Sequence, residues 1–575
     1  MMGAVGGDGG RSVHGVFGSS SAADFMRQIR VAVDRRISAP QTKAPVPIVF
    51  GRMAHKESAA SSSVLDRLLP PRKMADSLME IYWNVVFPLY PLVDRSQLAA
   101  EYARMWTGVG DHLYDEDNLM CIFNTIFALS CQLADFIAPE DRASCADSFF
   151  TRAKGLLKFD LWHAAWAEQI QCLLIMAQYL QSTDSADQCW IVTGLAIRHA
   201  QSLGLHQADT ISRVQNAQEQ RLAKRIWHGC VLMDRITSLT FGRPAMISKA
   251  LCGSVPLPET TDDEHVRTDR AVGAPRPADI PSMMGFFVKS AELYEILDDI
   301  LSSLYSQPAT EKHPGDIHDY YEFCCTRPSQ GRSLTVFELD HALSLWSLSL
   351  PDHLRGESVA VSTDRLFERQ SMVLRARYLH IRMVLFRPIL SRYCTSRDLA
   401  ASDPLMSLVG SLPNRFALQC SLLCVRIAQE LIQMIHVNIP DDGSVGLLPA
   451  WWYNILYVYS AATVLIAARL RSEILQEVTQ TSTEQSWKWA LEILRKYQSY
   501  SSSAKRCVVA LELLYERVIS STAAEPPADQ TDSPACNEMR GTSPYEGIDI
   551  GMLDGLDLMD WQDMSWLNSV PSNLY

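Results

Sequence analysis

Residues 225–244, RIWHGCVLMDRITSLTFGRP, decide the fold. Wound at about 100° per residue, this stretch places Ile226, Trp227, Cys230, Val231 and Met233 on one face, with Asp234 inside that apolar arc. Leu232, Ile236 and Leu239 cover much of the opposite side, so the helix is apolar nearly all round and belongs at the centre of a core. Gly242-Arg243-Pro244 ends it, because glycine takes the left-handed terminal conformation and proline cannot continue a helix. A carboxylate on such a face needs a partner. Arg243, folding back past the terminus, and Arg198, upstream, are the two candidates for a buried structural ion pair with Asp234. That bland role outweighs a catalytic Asp/Arg pair.

Outward from this helix the same period recurs. Leu78, Ile81, Tyr82, Val85 and Val86 form an apolar face that Pro88 and Pro91 end. Helical spacing continues through 119–136, 145–161, 170–181 and 188–203, where Gly204 and Leu205 supply a left-handed cap and its hydrophobic follow-on. In the second half it predicts helices near 282–305, 336–348, 365–386, 416–436, 451–472 and 485–518, with Pro- and charge-rich loops at 252–281 and 306–334. Strand-like alternation is scarce and no fixed repeat length appears. The expected fold class is therefore all-α, a large assembly of packed helices.

Composition divides the chain into three regions. Residues 1–75 read as a basic linker, with 11 Lys/Arg against 5 Asp/Glu, carrying one short helix from Ser21 with Phe25, Ile29 and Val33 in register. Residues 76–520 form the helical domain. In 521–575 a Ser/Thr/Pro/Ala-rich spacer precedes a segment in which Glu546, Asp549, Asp554, Asp557, Asp560 and Asp563 are interleaved with apolar residues and no Lys or Arg. Acidic charge holds such side chains open to water, ready to dock as a short helix in a partner's groove, with Leu553, Leu556, Trp561, Trp566 and Leu567 as the docking residues. An amphipathic helix folding back on the core is the alternative.

The chain has 575 residues, a net charge of −13 and 47% hydrophobic residues, so it is globular and its surface as a whole is not built to hold nucleic acid. The uncharged stretch 443–468 is long enough to span a bilayer, but Pro449, Asn454, Ser460, Thr463 and three tyrosines dilute it, and a core helix is expected with no membrane partner. Fourteen cysteines without repeated CxxC spacing suit buried thiols in a reducing compartment. Cys420 and Cys424 share a helical face, yet two thiols are not a metal site, and His199 has no ligand neighbours at helical spacing. No metal and no cofactor is expected. An all-α enzyme holding Mg²⁺ and diphosphate would need aspartates that the pairs Asp262-Asp263 and Asp298-Asp299 do not complete, and no HExxH, Walker loop or GxSxG occurs, so the chain is not expected to be an enzyme.

The stretch 225–244, with its Trp, Cys, Asp-Arg and Gly-Arg-Pro, resembles the signature of the fungal-specific transcription factor domain, the regulatory region of fungal zinc-cluster regulators. Residues 196–206 (AIRHAQSLGLH), Tyr82 to Val93, and Leu385-Phe386-Arg387-Pro388 resemble further elements of that family in the same order. The six-cysteine zinc cluster of the family is not in this sequence, while Gly15 to Arg30 resembles the family's segment beyond that cluster and its linker, so the chain reads as starting downstream of the cluster. The resemblance implies a nuclear, DNA-associated transcription activator, plausibly serving a fungal secondary-metabolite biosynthetic gene cluster. Its implied partners are promoter DNA, reached directly only through a cluster encoded upstream and otherwise through a partner protein, then transcription coactivators, with a homodimer left open. The competing expectation is an all-α interaction scaffold with no direct transcriptional role.

Overall fold

The computed structural model describes residues 18–36, 69–107, 116–157, 167–260, 281–305, 334–355, 364–395 and 412–523. Among them all regular structure is helical, as the period predicts. In chain order the first half holds α1 (Ala22–Arg36), α2 (Arg72–Ile81), a π-helical turn (Tyr82–Val86), α3 (Arg95–Thr107), α4 (Glu116–Cys131), α5 (Pro139–Leu156), α6 (Ala167–Gln181), α7 (Ala186–Ser202), α8 (Ala208–Ser212), α9 (Ala217–Phe241) and α10 (Lys249–Cys252). The second half holds α11 (Met283–Leu304), α12 (Val336–Leu348), α13 (Asp352–Arg355), α14 (Arg365–Thr395), α15 (Leu412–Asn438), α16 (Trp451–Ala468), α17 (Ser472–Val478), α18 (Gln480–Lys496) and α19 (Ser502–Ala523).

Helix α9 is central: every residue from Arg225 to Phe241 is buried, the charged Asp234 and Arg235 included. The Asn216 side chain accepts the Gln218 N–H at its start, and Gly242, at φ +67°, ends it in the left-handed conformation. Helices α6, α7 and α11 surround it. Helix α4 joins α5 and α6 to this group, while α14 packs against α11, α15 and α16 and so links the two halves. In α16 all residues except Leu456 are buried, which accounts for the uncharged stretch without a membrane. One helix, Asn414–Asn438, is long and apolar enough to cross a bilayer by length and composition; here it packs against α14, α16 and α18.

The structure adds α3 and the short α8, α10 and α13 to the expected helices and starts α5 at Pro139 instead of 145; four further differences have a visible physical cause. Helix α14 does not stop at 386 but runs through Pro388 to Thr395. Proline leaves the Val384 carbonyl without its helical N–H, and the Tyr305 hydroxyl donates to that carbonyl at 2.7 Å, so the lost bond is replaced from a neighbouring helix. The single helix expected over 485–518 is broken into α18 and α19 around a 3₁₀ turn, Tyr497–Ser499. There the Ser501 hydroxyl takes the Ser503 N–H, the local competition that serine offers a helix. Helix α16 ends at Ala468, and the chain bends by 114° into α17.

The fourth difference concerns the boundary at residue 75. Helix α1 lies across α14, α16 and α19, with Phe25, Met26, Ile29 and Val33 buried in the same core as the rest. Its entry is fixed by a glycine pair. The Gly18 N–H donates to the Phe241 carbonyl at 2.9 Å, and a Cβ on Gly242 would stand 2.3 Å from the Gly18 carbonyl oxygen, so neither position has room for a side chain. The Ser21 hydroxyl then accepts the Asp24 N–H at 3.1 Å and starts α1. Arg387 donates to the Ser20 carbonyl, and its guanidinium lies 5.2 Å from the Phe25 ring. The 225–244 stretch, the Arg387-Pro388 element and the N-terminal stretch thus meet in space.

Candidate functional site

Asp234 is fully buried, as its place on the apolar arc requires, but its partner is neither Arg243 nor Arg198. The chain after Pro244 turns back over α9, and the carboxylate accepts the Met246 N–H at 3.0 Å and the Ile247 N–H at 2.8 Å. Arg235 Nη1 donates to Asp234 Oδ2 at 3.1 Å and to the Ile247 carbonyl at 2.8 Å, closing the ring. The same guanidinium reaches Glu295 Oε1 at 3.3 Å and Asp298 Oδ2 at 3.4 Å on α11. Burial pushes the Asp234 carboxyl up, against the two N–H groups and Arg235, which pull it down. Burial likewise raises Asp298. Arg243 instead leaves the helix end to pair with Asp187 and stack 4.9 Å from the Trp190 ring on α7. Arg198 bonds Gln201 at 3.2 Å. With Asp298 on Arg235 and Asp299 on Lys249, these carboxylates are bound up in ion pairs that fasten α11 to α9 and α10. This arrangement clamps helices together; it offers no open coordination or nucleophile.

A second polar group lies in a cavity. Between the Val85–Tyr90 segment and helices α4, α6, α14 and α16 there is a partly open space of about 30 Å³. Val86, Leu89, Leu133, Val373 and Ala450 form its apolar wall, and Tyr90, Gln178, Gln181, Arg369, Arg377 and Tyr453 its polar one. Arg377 donates to Ser290 Oγ at 2.9 Å and to the Tyr90 hydroxyl at 2.7 Å, with its guanidinium 5.0 to 5.7 Å from the rings of Phe286, Tyr90 and Tyr294. The Tyr453 hydroxyl donates to Gln181 and lies 3.2 Å from the Tyr90 hydroxyl. Arg369 Nη1 donates to the Val85 carbonyl at 2.7 Å, while its Nε, Gln178 Nε2 and Trp452 Nε1 have no partner.

Among the described residues no carboxylate pairs with either guanidinium. Burial first, and then the charge of Arg377, pushes Arg369 down to about 10, so it still carries its proton at neutral pH. Burial holds the Tyr453 and Tyr457 hydroxyls well above their ordinary value, so both remain donors. Arg369 and Arg377 are thus two buried cations beside a small cavity whose accessible lining is mainly apolar. Desolvating an unpaired guanidinium costs several kcal/mol, which marks the pair as something other than filler.

The remaining sequence candidates are quickly placed. The described cysteines are free, all buried except the half-buried Cys145, and among the described residues no three His, Cys, Asp or Glu side chains converge in a manner suited to a metal ion. Cys420 and Cys424 are both buried in α15. The tail residues Leu553, Leu556, Trp561, Trp566 and Leu567 lie outside the described residues, as do Asp262 and Asp263.

The elements from the turn at Tyr82 through α11 and most of α12 fall within one known domain, since residues 79–346 match the fungal specific transcription factor domain, while α14 and α16, which close the cavity, lie beyond the match. Residues 79–346 carry a fungal specific transcription factor domain. It is similar to the sorbicillinoid biosynthetic cluster transcription factor 2 of Penicillium rubens, 27% identical over 503 residues, which cover 86% of this chain and 68% of that protein. The sorbicillinoid biosynthetic cluster transcription factor sor3 of Hypocrea jecorina is 27% identical over 78% of this chain and 60% of its own length. Transcription factor FBD3 of Fusarium pseudograminearum is 26% identical over 78% and 58%. The chain thus spans between about three fifths and two thirds of the length of these relatives. All three are named as transcription factors, and neither the family nor these names point to an enzyme.

Proposed function

We propose that this chain is a nuclear regulator of transcription that controls a fungal biosynthetic gene cluster, with its helical body as the regulatory domain and residues 541–575 as an activation segment. The observation that carries the reading is the domain match over 79–346, supported by the similarity of most of the chain to factors named for biosynthetic clusters. The fungal specific transcription factor domain favours regulation over an inert scaffold. The described body presents clamped ion pairs and an inward cavity, so promoter DNA is contacted through a separate DNA-reading module or a partner protein, and coactivators through the tail.

The tail is the part to test first. Large aromatics dominate groove recognition because they bury the most apolar area per ordered residue, whereas the acids hold the segment open and speed encounter. Fused to an unrelated DNA-binding domain, residues 541–575 are expected to drive a reporter gene. Replacing Trp561 and Trp566 together by Ala is expected to cost more activity than replacing any two of the six acids by Asn. A silent fusion, or one indifferent to both tryptophans, would turn the tail into a fold-back helix and remove the activator assignment.

A further inference from the structure

We propose that Cys145 and Cys131 are a reversible oxidation site, at which a hydroperoxide converts the two thiols to a disulfide that clasps the end of α4 to α5. The chemistry stands on the geometry of the helical body and does not depend on the regulatory reading above.

The placement of the two thiols divides the labour between them. Cys131 closes α4, Cys145 lies in the second turn of α5, the two helices pack against each other, and the sulfurs are 3.4 Å apart. A disulfide holds its sulfurs about 2.05 Å apart, so they need to close by about 1.4 Å, which is within the swing of a cysteine side chain. Cys145 is half-buried and can meet an oxidant from solvent, whereas Cys131 has no exposed surface. With the Cys131 thiol donating to it, the Cys145 sulfur is pulled down to about 7, against its partial burial and the charge of Asp141; the same bond and full burial raise Cys131. Cys121 and Cys172 supply the comparison. Their sulfurs are closer, at 2.9 Å, but both are buried, as is every other described cysteine except Cys145.

The step balances with the hydroperoxide as the oxidant. The Cys145 thiolate attacks its terminal oxygen; the S–O bond forms as the O–O bond breaks, and the departing alkoxide or hydroxide takes the proton that Cys145 released. The Cys131 sulfur then attacks the sulfenic sulfur. An S–S bond forms, the S–O bond breaks, and hydroxide leaves with the Cys131 proton as water. Two thiols lose two electrons and the hydroperoxide gains them.

The site lies on a joint between the two halves of the body. Trp451 Nε1 donates to the carbonyl of Gln132, next to Cys131, at 3.0 Å. Arg142, three residues before Cys145, donates to the Gly443 carbonyl at 3.3 Å and lies 4.9 Å from the Tyr500 ring. A link from 131 to 145 closes the loop that carries both contacts, removes freedom from the unfolded chain, and favours the state in which the contacts are made.

The test uses the full chain, reduced and freed of reductant, then treated with hydrogen peroxide or tert-butyl hydroperoxide under native conditions. Cys324, Cys325 and Cys536 lie outside the described residues, so links are assigned by mass-spectrometric peptide mapping without reduction. A Cys131–Cys145 link is expected to form first, with Cys121 and Cys172 still thiols, and dithiothreitol is expected to reverse it. The linked chain is expected to melt higher than the reduced one. Cys131→Ser is expected to leave a sulfenic acid on Cys145 that dimedone traps, and Cys145→Ser to give neither link nor adduct at this site. The mapping and Tm of the unaltered chain stand even if a variant fails to fold. The proposal is overturned if the native chain forms no 131–145 link, or if Cys121 and Cys172 link as fast. It is also overturned if the linked chain melts lower than the reduced one, or if a folded Cys131→Ser chain gives no adduct at Cys145.

Discussion

At the scale of single residues, Asp234 does more than neutralise a charge. It receives two backbone N–H groups of the loop after α9 and one arginine, so its removal takes the acceptor from the Met246 and Ile247 N–H groups and the nearest countercharge from Arg235. Asp234→Ala is expected to cost about 3 to 5 kcal/mol of stability, the usual loss when one member of a buried pair is deleted. Arg243→Ala removes ring contacts with Trp190 and Phe241 and a pair with the half-exposed Asp187, and is expected to cost less, about 1 kcal/mol. Urea unfolding of the two variants separates these cases, and equal losses would mean that Asp234 is not the centre of the clamp. The sequence showed the need for a partner but pointed to the wrong arginines. On a helix, residues i and i+1 diverge by about 100°, so Arg235 is the last side chain a helical wheel would offer to Asp234. Their carboxylate and guanidinium meet because the 244–247 loop runs between them, and loop paths are not written in a hydrophobic period.

At the scale of elements, most helices were legible because burial on nearly all sides imposes apolar periodicity over many turns, as in α4, α6, α9 and α16. Where the reading failed, the cause was a tertiary contact or a local polar competitor: the Tyr305 hydroxyl carries α14 past Pro388, and Ser501 breaks the run before α19. The cavity was not legible at all. Arg369 and Arg377 sit among other arginines of α14 in a pattern that, on sequence alone, describes a solvated face. Helix α1 is the clearest case, since its four apolar residues were visible but their destination was not. Burying Phe25, Met26, Ile29 and Val33 contributes roughly 6 to 12 kcal/mol gross. A chain beginning at residue 69 is therefore expected to melt well below the full chain or to aggregate through the exposed faces of α14, α16 and α19. Adding a synthetic peptide of residues 18–36 is expected to recover part of the Tm. An unchanged Tm in the truncated chain would return α1 to the linker.

At the scale of the whole molecule, one hydrophobic cluster runs from Ala22 to Val518, so a strain introduced at one point is felt by all of it. The buried histidines make acid such a strain. The His380 ring on α14 lies 4.6 Å from that of Tyr457, tilted by 36°, and burial, followed by the charge of Arg387, pushes its pKa down to about 3. His228 is lowered as well, by burial first, although the Val255 and Pro256 carbonyls pull the other way. An unfolded histidine titrates near about 6.5, so between about pH 6.5 and 3 the unfolded chain binds more protons than the folded one. Stability is then complete above about pH 6.5 and falls as the solution is acidified, by about 3 kcal/mol at pH 4.5 from His380 alone. Asp234, whose carboxyl is raised by burial, works in the opposite direction and offsets part of that loss. The full chain is expected to show a Tm that declines from pH 6.5 to 4.5, and His380→Gln, which cannot take up the proton, to show a shallower decline from a lower starting Tm. Parallel slopes for the two proteins would place the acid-sensitive group elsewhere.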